Sequence, residues 1–246
     1  MPQFNPSYAA VADSFSNDLL DALNADDRGL LSPYITECTF EAGRVIYHPG
    51  DDVDYCYLPM GSSLCSYFVE LEDGVAVETI LIGREGALGG IVSQGSLPAY
   101  ARANVMNGGV FQRIPVRQLD EAKRASPAVA TLFARYADCM MAQVFQSIAC
   151  NAVHTIEQRA AKWLSAAIDR TGKNDVTMTQ EQLASMMGIG RSYASRVLQR
   201  FKRDGLLRTR RGGIEVILPE ALNDRACSCN KQVTEHFEKV LAGVYP

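Results

Sequence analysis

Between Pro127 and Asn151 the chain carries no glycine, and its one proline stands first, where a missing N–H costs a helix nothing. Ser126 just before it offers an N-cap oxygen. A helix this long divides the chain into what it follows and what it leads into. Ala130, Phe133, Ala137, Met140, Met141, Val144 and Ile148 recur at spacings of three and four, and Leu132, Tyr136, Cys139 and Phe145 widen the apolar surface beyond one stripe. Two apolar faces need two partners. One is expected to cover the preceding domain and the other to meet a second copy, which makes Phe133, Ala137, Met140, Met141, Val144 and Ile148 the dimerisation positions of a homodimer. The competing reading buries both faces within one chain.

Before the long helix, Leu19, Leu20, Leu23 and Leu30 predict one or two short helices between Phe15 and Leu31. From Cys38 to Pro115 short β-prone stretches follow one another, separated by Pro49-Gly50-Asp51, Asp73-Gly74 and Asn107-Gly108-Gly109, as in a small antiparallel barrel or roll. Asp73-Gly74 suits a hairpin turn, because such turns require positive φ. After the long helix, a further helix is expected over His154 to Arg170, ending at Thr171-Gly172, with a loop at Asn174-Asp175. The chain therefore reads as α+β in three parts: an antiparallel β-roll with leading helices over 1–126, a long helix over 127–150, and a winged helix-turn-helix over 151–246. A length of 246 residues, 47% of them hydrophobic, suffices for two cores.

The winged segment carries the chemistry. Thr179 with Gln182 three residues on forms a capping box, Leu183, Met186 and Met187 supply a buried side, and Gly188-Ile189-Gly190 makes a turn. A second helix then starts at Arg191, with Ala194, Val197, Leu198 and Phe201 inward and Arg191, Ser192, Ser195, Arg196 and Arg200 outward. Arg208-Thr209-Arg210-Arg211 runs into Gly212-Gly213, as a two-stranded wing would. Net charge is −4 over the chain, yet residues 191–211 hold eight basic residues against the single acid Asp204. Guanine offers two acceptors in the major groove that one guanidinium fork satisfies together. Arg191 and Arg196 are placed for that role, Ser192, Tyr193 and Ser195 for a base edge or phosphate, and Thr179 and Gln180 for phosphate at a helix start. Arg208, Arg210 and Arg211 would follow the DNA backbone.

These residues resemble the Crp/Fnr family, named for the cyclic AMP receptor protein and the fumarate and nitrate reduction regulator. The likeness covers nearly the whole chain and is most specific at Gln182-Leu183-Ala184, Gly188, Arg191, Ser195-Arg196-Val197-Leu198 and Gly205-Leu206. It implies a cyclic-nucleotide-binding-like roll, Arg191, Ser192 and Arg196 at base-reading positions, and a dimer on a pseudo-palindromic operator with half-sites about one helical turn apart. Double-stranded DNA, a second copy of the chain and RNA polymerase are the partners it implies. For an effector in the roll, the resemblance points to Glu85, Gly86, Arg102, Val144 and Phe145. Val144 and Phe145 stand where the cyclic AMP binder presents hydroxyls, so cyclic AMP is disfavoured and the effector is unassigned.

Other classes find less support. With no cysteine before Cys38, the N-terminal iron-sulfur cluster of the oxygen sensors is not expected. Cys227-Ser228-Cys229 lacks two further ligands at usual spacing, so no metal site is expected, and haem ligation by His48 or His154 is disfavoured. The seven cysteines are an odd, scattered set and read as reduced thiols, and no cofactor is required. No P-loop, His-Glu-x-x-His or Gly-x-Ser-x-Gly pattern occurs, so no enzyme is expected. The alternative function is a small-molecule-sensing module whose C-terminal domain binds a protein. Its weakness is the arginine-rich face, since protein-binding faces favour aromatic or aliphatic anchors. Without a long apolar run or a leader-like N-terminus, a cytoplasmic protein with no membrane partner is expected.

Overall fold

The computed structural model describes residues 16–72, 74–92, 95 and 97–245. Phe15 of the expected leading helix and Asp73 of the expected hairpin turn lie outside the described residues. Two short helices, α1 (Asp18–Asp21) and α2 (Ala25–Leu31), lead in, capped by Asn17 and Asn24. Seven antiparallel strands follow: β1 (Thr36–Phe40), β2 (Val45–Tyr47), β3 (Tyr55–Pro59), β4 (Leu64–Glu70), β5 (Ala76–Ile82), β6 (Arg102–Asn107) and β7 (Gly109–Pro115). They form two sheets of order β1-β7-β3 and β2-β6-β4-β5, with Tyr47, Tyr57, Cys65, Ile82, Val105 and Phe111 filling the space between. β6 was not foreseen, although Arg102, Ala103, Asn104 and Val105 alternate polar and apolar.

After β7 comes α3 (Val116–Ala125), also unforeseen, and then α4 (Pro127–Val153), whose Ser126 cap accepts from the Val129 N–H at 3.2 Å. α4 outruns the expected end at residue 150. Next are α5 (Ile156–Thr171), β8 (Asp175–Val176), α6 (Gln180–Met187), α7 (Arg191–Arg203), β9 (Leu207–Arg210), β10 (Gly213–Val216), α8 (Pro219–Asn223) and α9 (Cys229–Leu241). The segment expected as a loop at Asn174-Asp175 instead holds β8, which pairs with β10 and makes the wing three-stranded.

Two packing features decide how the parts are joined. The sheet containing β4 is covered on both faces: Cys65, Ile80 and Ile82 face the roll interior, while Leu64, Phe68, Ala76 and Leu81 join Trp163, Leu164, Met186, Phe201 and Ile214 of the C-terminal part in one core. The residues after the wing return to the other side of the molecule. Val233, Phe237 and Leu241 of α9 pack with Leu132, Phe133 and Tyr136 of α4 and with Leu19 and Leu20. The Tyr245 hydroxyl then donates to Asp27 at 2.8 Å and accepts from the Asn24 N–H at 2.9 Å. No helix among the described residues is long and apolar enough to cross a membrane.

Candidate nucleic-acid interface

α6 begins with the capping box read from the sequence. Thr179 Oγ1 accepts from the Gln182 N–H at 3.1 Å, and Gln182 Oε1 accepts from the Thr179 N–H at 2.8 Å. Gly188 ends the helix at φ 63°, a left-handed conformation that costs other L residues about 1–2 kcal/mol. α7 then buries Ala194, Val197, Leu198 and Phe201. Its outer face presents Arg191, Ser192, Tyr193 and Arg196 to solvent, while Ser195 is half-buried. The Arg196 guanidinium lies 5.0 Å over the Tyr193 ring, a stacking that limits its freedom before any partner arrives.

A shallow groove of about 360 Å³ runs between the start of α6, the start of α7 and the wing, bounded by Thr179, Gln180, Arg191, Arg210 and Gly213. It gathers the N-terminus of α6 with Arg191 and Arg210, which favour a phosphate oxygen, together with the acid Glu181. The wing turns at Arg211-Gly212, with Gly212 at φ 75° and Gly213 already paired to Arg210. That is one residue earlier than the Gly212-Gly213 turn expected from the sequence. Arg208 and Arg211 are exposed.

Two of the expected contact arginines are already held within the chain. Arg200 pairs with Glu157 of α5 at 2.5 Å, and Arg210 forms an ion pair with Asp175 of β8. Arg225 extends the first pair, reaching Glu157 at 3.6 Å and Asp204 at 3.1 Å. Spacing along the chain held no sign of these acids, because Glu157 and Asp175 lie far from their partners in sequence.

The residues expected around an effector make contacts of their own within the chain. Glu85 is buried and pairs with Arg170 of α5 at 2.7 Å, while also accepting from the Gly83 N–H at 3.1 Å. Arg102 pairs with Glu70 at 2.6 Å and lies 5.6 Å over the Phe68 ring. Gly86 has no room for a side chain, since a Cβ there would run into the Tyr136 hydroxyl. Val144 is half-buried against the aromatic core of the roll, whereas Phe145 is 64% exposed. The 83–90 loop is thus gripped from several sides. Asn17 donates to the Gly86 and Pro59 carbonyls at 2.9 and 3.0 Å, and Tyr136 of α4 donates to the Ala87 carbonyl at 2.9 Å.

On α4 the two faces are unequal. Phe133, expected at a dimer interface, is buried in its own chain with Lys123 5.2 Å from its ring, and Met140 is half-buried in the core. Ala137 and Val144 are also half-buried. Met141, Phe145 and Ile148 are exposed by 52%, 64% and 63% and lie at i, i+4, i+7 spacing on one stripe.

The cysteines divide as well. Burial pushes the Cys56 thiol up to about 12 and raises Cys65 further, so both stay protonated near neutrality. Cys227 and Cys229, by contrast, stand beside Cys150 and His154 at the end of α4.

Residues 158–225 match the Crp-like helix-turn-helix domain. No curated protein matches the chain in sequence. Among solved structures, FixK2 from Bradyrhizobium japonicum superposes with a TM-score of 0.64 at 16% identity, covering 78% of this chain and 98% of that one. A CRP-family transcriptional regulator from Thermus thermophilus gives 0.63 at 22% identity, with 77% and 96% covered. The c-di-GMP responsive global regulator CLP of Xanthomonas campestris gives 0.63 at 15%, with 78% and 99% covered. A β-roll joined by a long helix to a winged helix-turn-helix, with that helix-turn-helix recognised in sequence, is the fold of transcription regulators with a DNA-binding head. Residues 158–225 are thus a Crp-like helix-turn-helix domain, and the chain as a whole shares the fold of these regulators.

Proposed function

We propose that the chain binds operator DNA as a homodimer and that Arg191 and Arg196 read guanine through the major groove. The observation that carries this reading is the exposed outer face of α7, which holds Arg191, Ser192, Tyr193 and Arg196 and no acid within the Crp-like helix-turn-helix match. Ser192, Tyr193 and Ser195 flank the bases, Thr179 and Gln180 take phosphate at the start of α6, and Arg208 and Arg211 follow the backbone along the wing. Arg200 and Arg210 position the head through Glu157 and Asp175, rather than reaching bases themselves.

The dimer forms on the exposed stripe Met141, Phe145 and Ile148, which removes Phe133 from that role and Phe145 from an effector pocket. The parts divide at about residues 126 and 150, with α9 folded back onto the roll. The protein acts in the cytoplasm, on DNA, without catalysis. A signal at the roll reaches the head through the 83–90 loop, because that loop touches α4 through Tyr136 and α5 through Arg170.

The test is selection of bound sequences from a random double-stranded DNA pool at controlled salt, since non-specific affinity is strongly salt-dependent. A two-fold symmetric motif supports the reading. Retention with no sequence enrichment at any salt would promote a protein partner for the head.

A further inference from the structure

We propose that Cys150, His154, Cys227 and Cys229 form a tetrahedral site for a single zinc-class divalent ion at the hinge between α4, α5 and α9. The four donors come from three places in the fold. Cys150 sits in the last turn of α4 and His154 is that helix's C-cap, while Cys227 lies in the segment leading to α9 and Cys229 is the first residue of α9. Sequence alone offered only Cys-x-Cys. The fold supplies the other two ligands, one turn apart on α4.

The geometry suits one ion. All four ligand atoms lie within 4.8 Å of one another. Zinc holds thiolate at about 2.3 Å and imidazole at about 2.0–2.1 Å, so a tetrahedron has sulfur–sulfur edges of about 3.8 Å and sulfur–nitrogen edges of about 3.6 Å. Here Cys150 Sγ and Cys227 Sγ are 3.6 Å apart, and Cys229 Sγ and His154 Nδ1 are 3.5 Å apart. A disulfide requires about 2.05 Å, well short of the observed sulfur separation. Donors this close enclose one metal rather than the several irons of a cluster.

The chemistry of the donor set agrees. Three thiolates and a neutral imidazole are soft to borderline ligands, which select zinc over magnesium or calcium. With a divalent ion they leave one net negative charge. Lys162 and Arg159 of α5 lie close enough to these thiols to act on them electrostatically, so that charge has cationic neighbours. Four protein ligands close the coordination sphere, as structural rather than catalytic zinc sites do. The bound ion would tie the end of the long helix to the start of α9, fixing the joint at which the head meets the rest of the chain.

The experiment uses the full chain, produced with zinc in the medium and purified under reducing conditions without chelator. Metal analysis is expected to find about one zinc per chain, and cobalt(II) added to the metal-free protein is expected to give tetrahedral thiolate–cobalt absorption. Cys229→Ser and His154→Ala should lower zinc content at least several-fold, while Cys139→Ser, a buried cysteine elsewhere on α4, should keep it. Should a ligand variant fail to fold, the wild-type protein still decides: zinc should protect three thiols from alkylation, and its removal should expose them. Zinc well below stoichiometric together with no thiolate–cobalt band would overturn the proposal. So would a Cys150–Cys227 disulfide found by peptide mapping, or an iron-sulfide chromophore.

Discussion

Breaking the Glu85–Arg170 pair should cost more than any surface ion pair in the molecule. Arg170→Met keeps the aliphatic stem but removes the guanidinium 2.7 Å from a carboxylate that is only 4% exposed. Glu85 would then be left with the Gly83 N–H at 3.1 Å as its remaining hydrogen bond. Removing one partner of a buried pair typically costs about 3–5 kcal/mol, because the other charge is stranded away from water. A domain's whole stability is about 5–15 kcal/mol, so the loss would be plain in a urea titration. Glu85→Gln strands Arg170 less completely, since its Nη1 also donates to the Ala166 carbonyl at 3.2 Å. The double variant Glu85→Leu with Arg170→Met should recover most of the loss, as apolar replacement of buried pairs often does. Trp163, the one tryptophan, is buried in the core shared by roll and head and reports the unfolding by fluorescence. A single-variant cost under about 1 kcal/mol, or strict additivity in the cycle, would refute the view that this pair couples loop to helix.

Burial lifts the Asp18 carboxyl from 3.8 to about 7, against the attraction of Arg84. The folded state therefore holds that proton more tightly than the unfolded chain, and the associated stabilisation is full below 3.8 and lost as pH rises through about 7. Asp18→Asn should flatten this part of the pH dependence, measured as urea midpoints across pH 5 to 8; an unchanged slope would count against it. Phe145→Glu or Ile148→Glu should convert the proposed dimer to a monomer with an unchanged far-ultraviolet spectrum, read by sedimentation equilibrium, and a dimer surviving both would move the interface elsewhere. Phe133→Ala should instead cost about 3–5 kcal/mol of folding stability, because the ring is buried in its own chain. A normal stability with loss of dimer would reverse that assignment.

Local chemistry was readable wherever it is local. The Thr179 capping box, the Gly188 cap, the Ser126 cap and the inward residues of α7 all follow from spacing, since each depends on neighbours within a turn or two. Long-range partners were not readable. The burial of Phe133 depends on α3 and α9, and the pairing of Arg200 and Arg210 with Glu157 and Asp175 depends on how the head closes. Nothing in the alternation of β4 announced that its outer face would be covered by the head, because a strand buried on both sides reads only as continuously apolar. Glu85 shows the same limit. Nothing among its neighbours in sequence points to its partner, a residue 85 positions away.

The central claim is that the outer face of α7 reads base sequence, and substituting Arg196 tests it most directly. Operators recovered from selection would be titrated with wild type, Arg196→Ala and Arg211→Ala across several salt concentrations. Arg196→Ala is expected to cost about 1–3 kcal/mol and to relax the base preference at one position in each half-site, whereas loss of a phosphate contact weakens all sequences alike and reduces the salt slope by about 1. Uniform weakening by Arg196→Ala, with every base preference intact, would contradict the account.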